Sequence, residues 1–563
     1  MNLTIKVTGP AGLGMNSTAD IIAEIFAKQW YKIIWDIEYQ SLIKWGINWF
    51  DINISEDATA IYKMVDVILT FNDKNLEKTL PLLKKGGYVI SNKKWIEKLS
   101  AKNPDMFNDY NVLDLEIADK YDNTYLLWML AKLLQLDIAD IHKEIEVTFG
   151  RKWEDIVQKN KDIVSNIYET YVLPECAWDK CWSFTVWSNN IWEAGEISYW
   201  NKMIAYWAIE SELGYYSAYP MTPASTVLTE VINSGKVPYH QAEDEIAVIN
   251  SALGASYAGK RAMVGSSGGW FALMTEALSF AVQAEIPVTA ILSQRAWPST
   301  GTPTFTENGD LPFALNCIFG TDSHHVVLSP SSLEEAYTFG WLALNIADIY
   351  QCPVIVLTDK QFSEWKVTLW ELQATPVNRG KIEENPAADY KRYAYCEDNI
   401  SPRTFPWTKD GDYIATSYEH DEFGATSEDS QVKMKMTEKR AHKLDNFFQT
   451  QWLTWYELVN PDAKKMLVVT SFNTYTAREF VKNNPDYGLV IIKFMKPLDE
   501  RLIKDLSWVE ELTFVENSYS GQLENHLVKE LRLDLIDWLT ISNFRKYDLY
   551  PFYMEDFEQR FGK

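Results

Sequence analysis

Short apolar runs separated by polar turns and helix-period segments divide this chain into alternating strands and helices. Residues 3–8, 31–34, 50–54, 65–70 and 87–90 read as strands, with a helix over 17–28 and mainly helical pattern up to 171. Residues 172–195 contain Pro174 and little periodicity, which suits a linker. Alternation resumes from 198 to 375, with strands at 215–218, 261–264, 287–292 and 353–358 and a helix over 226–233. Within 245–259, Ile246, Ile249 and Leu253 recur at helical spacing, so this helix is expected to bury the face they share. Residues 376–460 are polar and irregular and lead into a charged helix near 433–448. A third set of strands follows at 466–470, 489–494 and 512–515. The pattern predicts an α/β chain of three doubly wound units, over 1–185, 195–375 and 461–563, with 376–460 connecting the last two.

Four turns of the central unit stand out. Tyr219-Pro220-Met221-Thr222-Pro223-Ala224-Ser225 joins a strand to a helix, and its two prolines stiffen the backbone around the Thr222 hydroxyl. Gln241-Ala242-Glu243-Asp244-Glu245, Gly265-Ser266-Ser267-Gly268-Gly269 and Gln294-Arg295-Ala296-Trp297-Pro298-Ser299-Thr300-Gly301 follow. Each falls near the carboxyl end of an expected parallel strand or at the start of the next helix, where open α/β sheets bind ligands.

Composition narrows the field. The 563 residues carry a net charge of −25, which argues against nucleic acid as the main partner. No apolar run is long enough to predict a membrane span, and the first strand begins too close to Met1 for a signal peptide. Five cysteines form neither a disulfide framework nor a cluster-ligand pattern; Cys176 and Cys181, like Cys317, Cys352 and Cys396, read as ordinary residues of a reduced cytoplasm. His324-His325 reads as a strand end rather than a ligand pair. The glycines at 9, 12 and 14, with Asp36 beyond, suggest a dinucleotide turn, but the spacing is GxxGxG instead of GxGxxG. A glycine-rich turn that merely packs a helix on a sheet is the better account of them. Glu419-His420-Asp421-Glu422 reads as a solvated turn.

Together the motifs YPMTPAS (219–225), QAEDE (241–245), GSSGG (265–269), QRAWPSTGTPT (294–304) and ENSYSGQL (516–523), with ISPR (400–403) and YEHDE (418–422), resemble the α subunit of 2-oxoacid:ferredoxin oxidoreductases. The form resembled carries a γ domain fused at its N-terminus. The resemblance implies a γ-type Rossmann-like domain, a pyrimidine-type thiamine-diphosphate-binding domain and a transketolase C-terminal-like domain. It implies oxidative decarboxylation of a 2-oxoacid such as 2-oxoglutarate or pyruvate, with coenzyme A taking the acyl group and ferredoxin the electrons. Glu243 is the carboxyl expected against the aminopyrimidine of thiamine diphosphate, with Ser267, Gly268 and Tyr219 around the cofactor. Thr222, Arg295, Ser299 and Thr300 are expected to face substrate, Arg295 as a carboxylate clamp. The family's Mg²⁺ site and iron–sulfur cluster lie on a β subunit, so a heterodimer or heterotetramer of cytoplasmic location is implied.

Departures from the family fall at tryptophans. The chain has 23 Trp and 25 Gly, whereas an ordinary share of about 7% would give roughly 40 glycines. The family has glycine where this chain has Trp30, Trp35, Trp45, Trp200, Trp207, Trp270, Trp297 and Trp407. Large rings at 270 and 297 would stand beside the cofactor pocket and overpack it, giving a non-catalytic paralogue or scaffold. The simpler expectation is a gene that uses UGA for glycine and has been translated with UGA as tryptophan. UGA codons at 270 and 297, and glycine in the corresponding peptides of the natural protein, are the expected result; UGG at these positions refutes it.

Overall fold

The computed structural model describes residues 2–10, 14–28, 31–39, 48–56, 60–117, 122–150, 154–173, 196–296, 298–319, 324–369, 376–451 and 454–562. Cys176, Cys181, Trp30, Trp45 and Trp297, and most of the expected linker, lie outside them. The chain forms two compact units. One comprises residues 1–198, 365–371 and 553–563, the other 199–364 and 372–552.

The first unit is built on an eight-stranded sheet. Its central strand Asn2–Gly9 runs parallel to Val65–Thr70, which is followed by Leu83–Asn92 and Asn111–Leu115. On its other side lies Asn48–Ser55, antiparallel, and then Lys32–Glu38, antiparallel again. This mixed order differs from a doubly wound parallel half. Asp36 is buried, and its Oδ1 accepts the indole N–H of Trp365 at 2.8 Å, which does not suit a carboxylate reserved for a ribose. The strand Lys366–Leu369 pairs with Lys32–Glu38, and Glu555 accepts the amides of Lys63 and Met64, each at 3.0 Å.

The second unit holds two sheets. In the seven-stranded one, Leu213–Ala218, Arg261–Ser266, Val288–Gln294 and Pro353–Asp359 are consecutive parallel neighbours. The last three are buried along their whole length, and each carries an unalternating apolar run (262–264, 290–292 and 353–357). The five-stranded sheet places Lys465–Val469 between Tyr487–Ile492 and Glu511–Glu516, all parallel.

The connecting segment is held down by two buried carboxylates. Asp348 receives Arg379 at 2.8 Å, Arg261 at 3.3 Å and Arg403 of the ISPR motif. Glu285, fully buried, takes Lys439 at 2.6 Å and Lys443 at 2.7 Å, with Arg392 bonded to its backbone oxygen at 2.9 Å. Although burial alone would raise it, these cations hold the Glu285 carboxyl well below the usual range. YEHDE is not a solvated turn. His420 is buried against the Tyr393 ring, and Glu419, pulled down to about 2, pairs with Arg440 at 2.8 Å and Lys433 at 3.0 Å.

Three groups can be distinguished among the described tryptophans. The indoles of Trp365, Trp455 and Trp508 donate to Asp36, Asp499 and the Pro461 carbonyl at 2.8–2.9 Å. Those of Trp35, Trp200 and Trp207 are buried with no hydrogen-bond partner, as are those of Trp95, Trp128 and Trp341. A buried donor left unmade costs about 1–3 kcal/mol, a penalty glycine at these positions would not incur. Trp270 and Trp407 are instead 39% and 67% exposed, so neither ring is buried.

Removing Lys439 and Lys443 together would take both paired cations from Glu285. The double variant Lys439→Met, Lys443→Met is expected to cost about 3–5 kcal/mol in urea unfolding and to open residues 376–451 to proteolysis. Because the Glu285 carboxyl is lowered in the folded state, its contribution is full above the ordinary carboxylate range. That contribution should fade as pH falls through and below it.

Candidate functional site

The singled-out turns follow the carboxyl ends of Leu213–Ala218, Tyr239–Gln241, Arg261–Ser266 and Val288–Gln294, which are contiguous parallel neighbours in the seven-stranded sheet. Ser225 N bonds to Met221 O at 2.9 Å as the first turn enters helix Ser225–Ser234, and the Thr222–Pro223 peptide is cis. Asn201, fully buried, braces this turn through Pro223 O at 2.8 Å and Thr226 Oγ1 at 2.7 Å. Sequence reading passed over Asn201 because it stands alone on the preceding helix, 22 residues from Pro223.

Arg295 leaves the end of strand Val288–Gln294 and is 2% exposed. Its Nη1 donates to Thr222 O at 2.8 Å and touches Met221 Sδ at 3.5 Å. Burial pushes its pKa down while the Asp310 carboxylate opposes that shift. The structure therefore unites Thr222 and Arg295, two of the residues singled out from the sequence, through the backbone of one and the guanidinium of the other. Tyr219 and Thr222 are half-buried, whereas Ser299 and Thr300 are exposed, Ser299 with φ of 55°.

The three acids of QAEDE take three different roles. Asp244 caps helix Glu245–Tyr257, its Oδ1 accepting Ala247 N at 2.8 Å. Glu243, one residue earlier, is exposed. Glu245, in the first turn, is 1% exposed and accepts the Ser266 hydroxyl at 3.2 Å. Burial pushes the Glu245 carboxyl up, chiefly through lost hydration. Sequence reading missed Glu245 because nothing in an acidic triplet says which member turns inward; the period of Val248, Ile249 and Ala252, all fully buried, carries that signal. Ile246, expected on the buried face, is instead 50% exposed.

In GSSGG, Ser267 is buried and donates to Ser293 O at 2.7 Å, tying this turn to the adjoining strand. Gly268 is buried with φ of +43°, a conformation that favours glycine. Helix Glu245–Tyr257 packs against the Ala272–Met274 turn that follows Trp270. Ile246, Trp270 and Leu273, at 50%, 39% and 42% exposure, thus give the helix start and this neighbouring turn a set of exposed apolar side chains. An exposed carboxylate just before one helix and a glycine turn at the end of the following strand are groups that could hold a ring-bearing cofactor. Thiamine diphosphate has that chemistry, with an aminopyrimidine that takes a carboxyl and a ring system that takes apolar walls.

Comparison with known proteins agrees. A family model described as pyruvate flavodoxin/ferredoxin oxidoreductase, thiamine diphosphate-binding, matches residues 207–439, and one described as pyruvate ferredoxin/flavodoxin oxidoreductase matches residues 4–170. The 2-oxoacid:ferredoxin oxidoreductase subunit alpha of a Sulfolobus species is 27% identical over 96% of this chain and 94% of its own. The 2-oxoglutarate synthase subunit KorA of Methanocaldococcus jannaschii is 31% identical, covering 54% of this chain and 84% of its own. The structure of 2-oxoglutarate:ferredoxin oxidoreductase from Magnetococcus marinus, with 2-oxoglutarate, coenzyme A and succinyl-CoA bound, is 25% identical. It superposes with a TM-score of 0.87 over 99% of this chain and 98% of that one.

The raised Glu245 carboxyl binds its proton more tightly in the folded state, so its contribution to stability is present at low pH and lost as pH rises through its folded pKa. Glu245→Gln should therefore raise the melting temperature at neutral pH. The gain should shrink as pH falls toward the ordinary carboxylate range; thermal melts between pH 4 and 8 check the sign.

Proposed function

The chain belongs to the α subunits of the 2-oxoacid:ferredoxin oxidoreductases, and from that premise we propose that it supplies half of an active site for oxidising 2-oxoglutarate to its acyl-CoA. The observation that carries this reading is the buried Arg295 guanidinium held against Thr222 O at 2.8 Å, a fixed cation at the carboxyl end of the sheet. In the reaction the C1–C2 bond of the 2-oxoacid breaks and carbon dioxide leaves. The acyl group joins the coenzyme A thiol, which gives up its proton, and an electron pair passes one electron at a time to ferredoxin. Thiamine diphosphate, when bound, supplies the nucleophilic carbon and the electron sink that decarboxylation needs.

The roles of the chain's own residues follow from their positions. Glu243 would present its exposed carboxyl to the aminopyrimidine and exchange a proton with it, while Ser267, Gly268 and Tyr219 line the cofactor's side of the site. Arg295 would clamp the substrate carboxylate, the Thr222 hydroxyl would donate to the carboxylate or carbonyl, and Ser299 and Thr300 would close over the substrate. Ile246 and Leu273 would meet a β subunit that brings the Mg²⁺–diphosphate site and the iron–sulfur cluster. We assign 2-oxoglutarate ahead of pyruvate because the M. jannaschii relative and the M. marinus neighbour are both named for it. A cytoplasmic location accords with this assignment, and no helix of the described residues is long and apolar enough to cross a membrane.

Purified alone, the chain should show no 2-oxoacid-dependent reduction of ferredoxin, and adding the β subunit should restore it with 2-oxoglutarate preferred. In the assembled enzyme Glu243→Gln should lower kcat by about 10²–10⁴-fold, the usual worth of positioned acid–base catalysis. Turnover by the isolated chain, or wild-type kcat in the variant, would defeat this reading.

A further inference from the structure

We propose that the turn at residues 516–523 is the anchor of the loop over 298–310, with Gln522 as a positioning residue for substrate binding. The proposal rests on the substrate-facing roles given above to Arg295, Ser299 and Thr300. The motif ENSYSGQL has no part in the chemistry described so far, and it lies more than 200 residues from the loop in sequence, as the 213-residue separation of its Gln522 contact shows.

The loop begins where Arg295 leaves its strand and is pinned at its neck. Ala296 N bonds to Phe305 O at 3.1 Å, Thr302 N to Ala296 O at 3.3 Å, and Phe305 N to Thr302 O at 3.0 Å. The tip is different: residues 298–301 are exposed, and Ser299 and Gly301 have φ of 55° and 50°. The return limb is held by the other motif. Asn308 N donates to Asn517 O at 2.8 Å, Gln522 Nε2 donates to Gly309 O at 3.0 Å, and Phe305 meets Tyr550 edge to face at 6.1 Å. The next residue, Asp310, bonds through its N–H to Gln294 Oε1 at 2.9 Å and is the carboxylate whose charge acts on Arg295. The link from Gln522 to the Arg295 guanidinium is therefore short: one hydrogen bond to Gly309, one peptide unit, one charge pair.

The anchor is stiff for reasons visible in its own bonds. Glu516 caps helix Gln522–Leu531 by accepting Leu523 N at 2.9 Å, and it also takes the Ser518 hydroxyl at 2.9 Å. Ser518 Oγ accepts Gly521 N at 3.1 Å and Gln522 N at 3.2 Å, and Asn517 Nδ2 reaches Tyr550 O at 3.1 Å. Every polar residue of the turn from Glu516 to Ser518 is spent on fixing its shape, and Gln522 projects from that frame onto the loop. A loop with a pinned neck, a braced return limb and a free tip can present Ser299 and Thr300 to a ligand without losing the position of Arg295.

Gln522→Glu in the assembled enzyme tests this. An acid at the first helical position suits the helix dipole, so the turn persists while the donor to Gly309 O is lost. The KM for the 2-oxoacid should rise by about two- to tenfold, the worth of one neutral hydrogen bond, with kcat little changed. Amide exchange should quicken across 298–310 but not across 522–531, and Gln522→Met should behave alike. Unchanged exchange in the loop overturns the proposal. So does faster exchange with an unmoved KM; there, an Arg295→Lys variant that raises KM puts the fault in the anchor. An Arg295→Lys variant that also leaves KM unmoved puts the fault in the substrate-facing reading beneath it.

Discussion

A guanidinium that is buried yet must stay charged governs the central part of this protein. Arg295 is almost wholly out of water, where an isolated cation is costly, so the surroundings have to replace its hydration. They do so from two directions, with the carbonyl of Thr222 on the first turn and the carboxylate of Asp310 on the returning loop. Neither group is near Arg295 unless the stiff 219–225 turn and the 298–310 loop are both correctly placed. The cost of burying one charge thereby fixes two segments that the chain supplies from different strands, and those segments frame the site.

The same logic is repeated with opposite sign on the connecting segment. Glu285 and Asp348 are carboxylates on the central unit's own frame, and each is neutralised by cations from residues 379–443. A polar segment of that length has little apolar surface with which to pack, and buried charge pairing gives it a register that hydrophobic contacts would not. His420 under the Tyr393 ring and Glu419 against Arg440 add a third fastening, which is why a stretch that reads as loop is nonetheless well ordered in its contacts.

How much of this could be read from the chain depended on range. The buried strands of the central unit, such as Val288–Gln294 and Pro353–Asp359, announce themselves because local apolar content suffices, and the turns that follow them carry recognisable residue sets. Strand Asn111–Leu115 was hidden inside a helix-rich stretch, since Asp114 breaks its apolar run. The order of the first sheet was beyond local pattern altogether: Asn48–Ser55 alternates well, but nothing near it says that it lies antiparallel between two other strands. Glu245 and Asn201 escaped for a related reason. Their roles follow from Ser266 and Pro223, partners brought close only by the sheet.

The first unit's segmentation has a consequence for how the chain is made. Its sheet takes in Lys366–Leu369, and Glu555 of its last helix, Met554–Phe561, caps backbone donors at Lys63 and Met64. On the ribosome the N-terminal strands emerge first, yet the unit they found is complete only after synthesis has passed residue 553. Domains usually fold in the order they are translated. Here the edge of Lys32–Glu38 stays unpaired until residues 366–369 have been made, and the donors of Lys63 and Met64 wait longer still, for Glu555.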